Sequence, residues 1–131
     1  MSARILLIED NATNLELMTY LLRAFGYEVN TANGAAAGLA LAESGEYDLV
    51  LTDILMPEMD GYEFARRFRA QQRWSATPLV AVTALAMTGD REKIIAHGFD
   101  GYIAKPIDPQ RFGAEIASFL QKRNDGQHPR R

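Results

Sequence analysis

The sequence predicts an α/β domain in which a parallel five-stranded sheet carries helices on both faces. Three observations support this. Continuous apolar runs recur at residues 5–8 (ILLI), 49–51 (LVL) and 79–82 (LVAV), too short for helices and lacking the alternation of a half-exposed strand. Such runs suit strands covered on both sides. Between them lie stretches with apolar residues at helical spacing, joined by short connections. Alternation of this kind implies a parallel sheet with right-handed crossovers.

Taken in order, the first strand is 5–8, and a helix follows over 12–25. Leu17, Met18, Leu21 and Phe25 define its inward face, and Gly26 stops it. Residues 27–31 form a weaker strand candidate. The alanine-rich stretch 35–43 is a good helix former, closed by Ser44-Gly45. Strand 49–51 leads to a helix over 61–71 with Phe64, Ala65 and Phe68 at helical spacing. Strand 79–82 precedes a helix over 89–97 that ends at His97-Gly98. A weaker strand at 101–104 is followed by a helix over 109–122 carrying Phe112, Ile116, Phe119 and Leu120. Residues 1–122 thus read as one domain. The polar tail 123–131 is expected to be frayed or disordered, with His128 solvated in it. No internal repeat or low-complexity block is present.

At 131 residues, 47% hydrophobic and 24% charged, the chain has the size and composition of one ordinary globular domain. A net charge of -3 argues against a general nucleic-acid binder, whose footprint is strongly basic. The absence of cysteine excludes disulfides, thiolate zinc sites and a cysteine nucleophile. The start, MSARILLIEDN, does not read as a signal peptide, because its apolar stretch is short and acids follow at once. No apolar run approaches the roughly 20 residues that span a bilayer. A soluble, cytoplasmic protein without a membrane partner is expected.

In a parallel α/β sheet, ligands bind beyond the carboxyl ends of the strands. Here those ends carry Glu9-Asp10, Asp53, Thr83 and Lys105. Any one of them alone could be a strand end meeting water, but together they would share one edge. Two carboxylates about 5 Å apart repel by about 3 kcal/mol at an effective dielectric of about 20. With three present, one protonates or a cation sits among them. Hard oxygen ligands favour Mg²⁺. Asp53 is then a candidate nucleophile toward a phosphoryl group, forming an aspartyl phosphate. Lys105 would neutralise developing charge and Thr83 would donate a hydrogen bond. Met56-Pro57 turns the backbone away from Asp53, and Asp60-Gly61 restarts it into the next helix.

The segments "ILLIEDN", "DLVLTDILMPEMDGYEF", "PLVAVTALA" and "GFDGYIAKPID" resemble the response-regulator receiver domains of two-component signalling, over roughly residues 3–121. The resemblance implies a flavodoxin-like three-layer (βα)5 sandwich with strand order 2-1-3-4-5. It implies that Asp53 is the phosphoacceptor and that Glu9, Asp10, Asp53 and the main-chain carbonyl of Leu55 hold Mg²⁺, Glu9 acting more through water. Thr83 becomes the switch hydroxyl, followed by the small Ala84, and Lys105 the phosphate-pairing lysine, with a cis bond before Pro106. Tyr102 matches the aromatic that turns inward when the hydroxyl moves, and its alternative is a half-buried strand aromatic. Leu55 and Leu85 are apolar where some relatives have polar residues. Neither orients an attacking water, so slow self-dephosphorylation is expected.

The "EDNATN" start, with Asn11 and Asn14, is similar to receivers that exchange phosphoryl groups in relays or hybrid kinases. Leu15 and Leu22 fall off the inward face assigned to the first helix. The two leucines are either the margin of a wide core stripe or, with Asn14, part of a docking surface for a histidine kinase or phosphotransfer helix.

The leading expectation is a stand-alone receiver, not an enzyme in the metabolic sense, taking a phosphoryl group from a histidine kinase or histidine phosphotransfer protein. It would signal to a downstream protein effector or pass the group on. Direct DNA binding is not expected, since no helix-turn-helix segment follows residue 122. The alternatives are a phosphorylation-independent interaction module and a receiver excised from a hybrid histidine kinase. A flavin-binding electron carrier fails because no Ser/Thr/Gly-rich cradle follows the first strand, and the acids there would repel a phosphate.

Overall fold

Apolar side chains that alternate between two covered faces build the centre of the sheet. The structure, a computed structural model, describes residues 2–85 and 88–127. Its elements are β1 (Arg4–Ile8), α1 (Ala12–Ala24), β2 (Glu28–Ala32), α2 (Ala35–Ser44), β3 (Leu49–Thr52) and α3 (Gly61–Arg69). After a 3-10 turn (Gln72–Trp74) come β4 (Leu79–Thr83), α4 (Thr88–Ala96), β5 (Gly101–Ala104) and α5 (Pro109–Gln127). All strand pairs are parallel, in the order β2-β1-β3-β4-β5. This is the flavodoxin-like order that the resemblance implied.

Successive strand residues point to opposite faces, and both faces are dry. On one side Leu6, Ile8, Val50 and Ala81 pack with Phe64 and Phe68 of α3, Ala35 and Ala42 of α2, and Ile94 of α4. On the other, Ile5, Leu7, Leu51 and Val82 pack with Met18 and Leu22 of α1 and Phe112 and Ile116 of α5. Three layers result, and the carboxyl ends of all strands share one edge.

Three details depart from the sequence expectations. The inward face of α1 is centred on Met18 and Leu22, both fully buried, while Phe25 is 46% exposed. Six apolar residues crowd this stretch; Met18 and Leu22 face the sheet, while Leu15, Leu17 and Leu21 flank them half-buried against the core. Leu22 is therefore a core residue and not a docking residue. Helix α3 stops at Arg69, because the chain breaks to turn Trp74 onto Phe68, ring centroids 4.6 Å apart and nearly parallel. Helix α5 runs to Gln127 rather than 122, so the tail expected to be frayed from 123 is helical over 123–127. Asn124, Asp125 and Gly126 are poor helix formers, and local propensity gives no signal for it. His128 lies outside the described residues. No described helix is long and apolar enough to cross a membrane.

Candidate functional site

The sheet ladder continues one residue past several strands and so fixes the polar residues there. Glu9 N donates to Ala32 O (3.0 Å), Asp53 N to Ile8 O (3.1 Å) and Lys105 N to Thr83 O (3.0 Å). Glu9, Asp10, Asp53, Thr83 and Lys105 consequently lie along a single edge, with the backbones of Glu9, Asp53, Thr83 and Lys105 held by neighbouring strands.

The Lys105 ammonium stands 2.8 Å from Asp53 Oδ2 and 2.8 Å from Glu9 Oε1. Its contact with Asp53 is a hydrogen bond; that with Glu9 is an ion pair without hydrogen-bond alignment, leaving Glu9 Oε1 a buried oxygen with spare coordinating capacity. Asp53 Oδ1 accepts from Ile54 N at 2.7 Å, and Glu9 Oε2 from Asn11 N at 3.1 Å. Burial pushes the Glu9 carboxyl above its ordinary range; the Lys105 ammonium and Asn11 amide pull it back, and the Asp53 charge pushes it up again. Burial alone would lower the Lys105 pKa, but the close carboxylates of Asp53 and Glu9 outweigh that and raise it, so the lysine stays charged.

Carboxylate oxygens of Glu9, Asp10 and Asp53 can come within 4.8 Å of one another, with Asp10 exposed and the other two buried. Three carboxylates against one ammonium leave an excess of negative charge that suits a divalent cation. The donors are all hard oxygens, and one of them is a buried oxygen short of partners. The residues fit Mg²⁺. Gly61 keeps the acceptor loop tight: its N–H donates to Ile54 O at 2.8 Å, and a Cβ there would collide with the Asp53 main-chain oxygen. Asp60 caps α3 by accepting from Glu63 N.

Residues 5–117 match the family model described as the response regulator receiver domain. The chain belongs to the response-regulator receiver family. It is 38% identical over 120 residues to the polar-differentiation response regulator DivK of Brucella ovis, covering 92% of this chain and 98% of that one. The DivK of Brucella anthropi is 40% identical over 121 residues. Among solved structures, the receiver domain of a sensor histidine kinase from Pseudomonas aeruginosa is 33% identical with a TM-score of 0.84, covering 92% of this chain and 99% of that chain. That structure has a magnesium ion coordinated in its active-site cleft. The chemotaxis protein CheY4 of Vibrio cholerae superposes with a TM-score of 0.86 at 27% identity, covering 91% of this chain and 99% of that one.

In this receiver, Thr83 is fully buried and its Oγ1 accepts from Leu85 N at 3.0 Å, which leaves its own O–H as a donor. Leu55 is 59% exposed on the acceptor loop, and Leu85 is half-buried. Tyr102 is half-buried on β5 with the Arg91 guanidinium 5.5 Å from its ring centroid. The Lys105–Pro106 peptide is cis. On α1, Leu15 is half-buried against the core and Asn14 is half-buried, while Tyr20, which the sequence reading passed over, is 72% exposed. Asn11 has a structural task, capping α1 by accepting from Asn14 N at 2.9 Å. An asparagine directly before an apolar-periodic run is a cap signal that could have found it.

Proposed function

We propose that this receiver accepts a phosphoryl group from a partner phosphohistidine onto Asp53 and signals through the change of shape that follows. The observation that carries this reading is the Lys105 ammonium bridging Asp53 and Glu9 at 2.8 Å each, beside a cation-ready acidic cluster. An Asp53 carboxylate oxygen attacks phosphorus as the P–N bond breaks, and the electron pair leaves on the imidazole nitrogen. Glu9, Asp10, Asp53 and the Leu55 main-chain carbonyl would hold Mg²⁺, which when bound supplies charge neutralisation to the phosphoryl oxygens. Lys105 pairs with one phosphoryl oxygen and Thr83 donates its hydroxyl to another.

The partner is a histidine kinase or a histidine phosphotransfer protein, with Asn14, Leu15 and the exposed Tyr20 on the docking side of α1. The output passes to a protein effector or onward by phosphotransfer, with Tyr102 following Thr83. The DivK relatives, covered over 98% of their length, are response regulators, and the similarity supports a regulator role for this receiver. With Leu55 and Leu85 beside the acceptor, no side chain at those positions orients water, and the aspartyl phosphate is long-lived. A half-life of seconds would contradict this.

The deciding experiment is intact-mass spectrometry after incubation with acetyl phosphate, with and without Mg²⁺, on wild type and Asp53→Ala. A Mg²⁺-dependent gain of one phosphoryl mass that the variant loses establishes the acceptor. No gain, including from a phosphohistidine donor, turns the reading to a phosphorylation-independent interaction module.

A further inference from the structure

Helix α4 is weakly held. Among its described side chains only Ile94 is buried, while Arg91, Glu92, Lys93, Ile95 and Ala96 are exposed. Two tyrosines grip it from outside, each with a cation of α4 over its ring. Tyr102 of β5 lies under Arg91. Tyr62, on the first turn of α3, lies under the Lys93 ammonium at 4.8 Å from the ring centroid. The same Tyr62 ring packs against the His97 ring at 4.4 Å and meets Phe99 edge-on at 6.4 Å.

Tyr62 also stands next to the acceptor loop. It directly follows Gly61, which is bonded to Ile54 and pressed against the Asp53 carbonyl. The other end of the connection is Thr83, whose Oγ1 accepts from Leu85 N at the start of the segment leading into α4. A Thr83 hydroxyl drawn toward a phosphoryl group on Asp53 gives up that bond, which releases Leu85 just past the end of β4, the strand that precedes α4. For α4 to move, Lys93 and His97 must slide off the Tyr62 ring. We propose that Tyr62, gripped by Lys93 and His97, is a second latch that holds α4 in the resting arrangement and so restrains phosphoryl acceptance at Asp53. This inference rests on the proposed role of Asp53.

The energetics suit a latch that opens. The Tyr62 hydroxyl is buried with no hydrogen-bond partner among the described residues, a cost that offsets part of what the ring contacts contribute. A ligand or modification shifts a two-state element only by its differential affinity, and a latch specific to one state lowers the populated fraction of the other. An exposed cation–π contact corresponds to about two- to fivefold in such an equilibrium.

The test compares wild type with Lys93→Met, Tyr62→Ala and Tyr62→Phe, none of which touches the acceptor site. Hydrogen exchange of the α4 amides in the unphosphorylated protein reads the latch itself. The rate of phosphoryl uptake from acetyl phosphate reads its regulatory effect. Lys93→Met and Tyr62→Ala are expected to exchange faster in α4 and take up phosphate about two- to fivefold faster. Tyr62→Phe, which keeps the ring, is expected to do neither. A purely structural Tyr62 would lower stability without raising the uptake rate. Uptake at or below the wild-type rate in both Lys93→Met and Tyr62→Ala overturns the proposal, as does a rise in Tyr62→Phe. Failure of the wild type to take up phosphate overturns the role of Asp53 and the regulatory claim with it, while the exchange data still report whether Tyr62 grips α4.

Discussion

Arg69 Nη2 and Asp100 Oδ2 lie 2.7 Å apart, joining the end of α3 to the start of β5 across residues distant in sequence. The same guanidinium donates to the carbonyls of Gly98, Trp74 and Thr77, and Asp100 also accepts from Leu79 N. One pair thus ties α3, the 3-10 turn, β4 and β5 together at the edge of the sheet remote from the acidic cluster.

Arg69→Ala leaves three main-chain carbonyls without their donor and removes the counter-charge of Asp100. A loss of about 2–4 kcal/mol in stability is expected. Urea titration should show a lower midpoint with an unchanged slope. An unchanged midpoint would mean that water replaces every one of these bonds at no cost. Phosphoryl uptake by the folded fraction should be untouched, because the site lies at the opposite edge.

Leu22 and Leu15 separate packing from docking on α1. Leu22→Ala removes a fully buried side chain and is expected to cost about 2–4 kcal/mol. Leu15 and Tyr20, half-buried and largely exposed, should cost about 1 kcal/mol or less as alanines. Their effect belongs in the rate of transfer from a phosphohistidine partner, with acetyl phosphate uptake unaltered. Equal stability losses for Leu15→Ala and Leu22→Ala would put both in the core.

These contrasts show which parts of the structure could be read from the sequence. Continuous runs such as ILLI and LVAV carry their own signal for a doubly covered strand, so the sheet and the polar residues ending its strands were legible, including Asp53 and Lys105. The face of α1 was not, because Leu15, Leu17, Met18, Leu21, Leu22 and Phe25 satisfy more than one helical stripe and only the sheet beneath decides between them. Arg69 with Asp100, and Tyr62 with Lys93 and His97, leave no local pattern at all. They are tertiary pairings, and each residue alone reads as an ordinary surface side chain.

Glu63 gives a pH test on the outer face of α3. Hydrogen bonds from Arg66 and then Arg67 push its carboxyl down to about 2. A depressed folded-state pKa means that the stabilisation is complete above the unfolded carboxyl value of about 4.3 and is lost as pH falls toward the folded one. The melting-temperature difference between wild type and Glu63→Gln should therefore be present at neutral pH and close as the pH approaches about 2. Solvent and salt screen this exposed cluster, so the difference should be small and shrink at high ionic strength. A difference that persists in acid would trace to the side chain's packing instead of its charge.

Lys105 is placed to act in two opposing ways. Its ammonium stands against Glu9 and Asp53, two of the three carboxylates that would hold a divalent cation, so its charge opposes Mg²⁺ in the resting site. Once a phosphoryl group is present, the same charge is needed on its oxygens. Lys105→Met keeps the length of the side chain and removes the charge. Mg²⁺ should then bind about three- to tenfold more tightly by calorimetry, since a positive charge has left the cluster. Phosphoryl uptake by mass spectrometry should nevertheless fall by about 10- to 100-fold, because stabilisation of the transferring group is lost. Chelation of Mg²⁺ should abolish uptake in both proteins. Weaker Mg²⁺ binding in the variant would show that the lysine's main task is to organise Glu9 and Asp53 for the cation, and the competition drawn from the paired 2.8 Å contacts would be wrong.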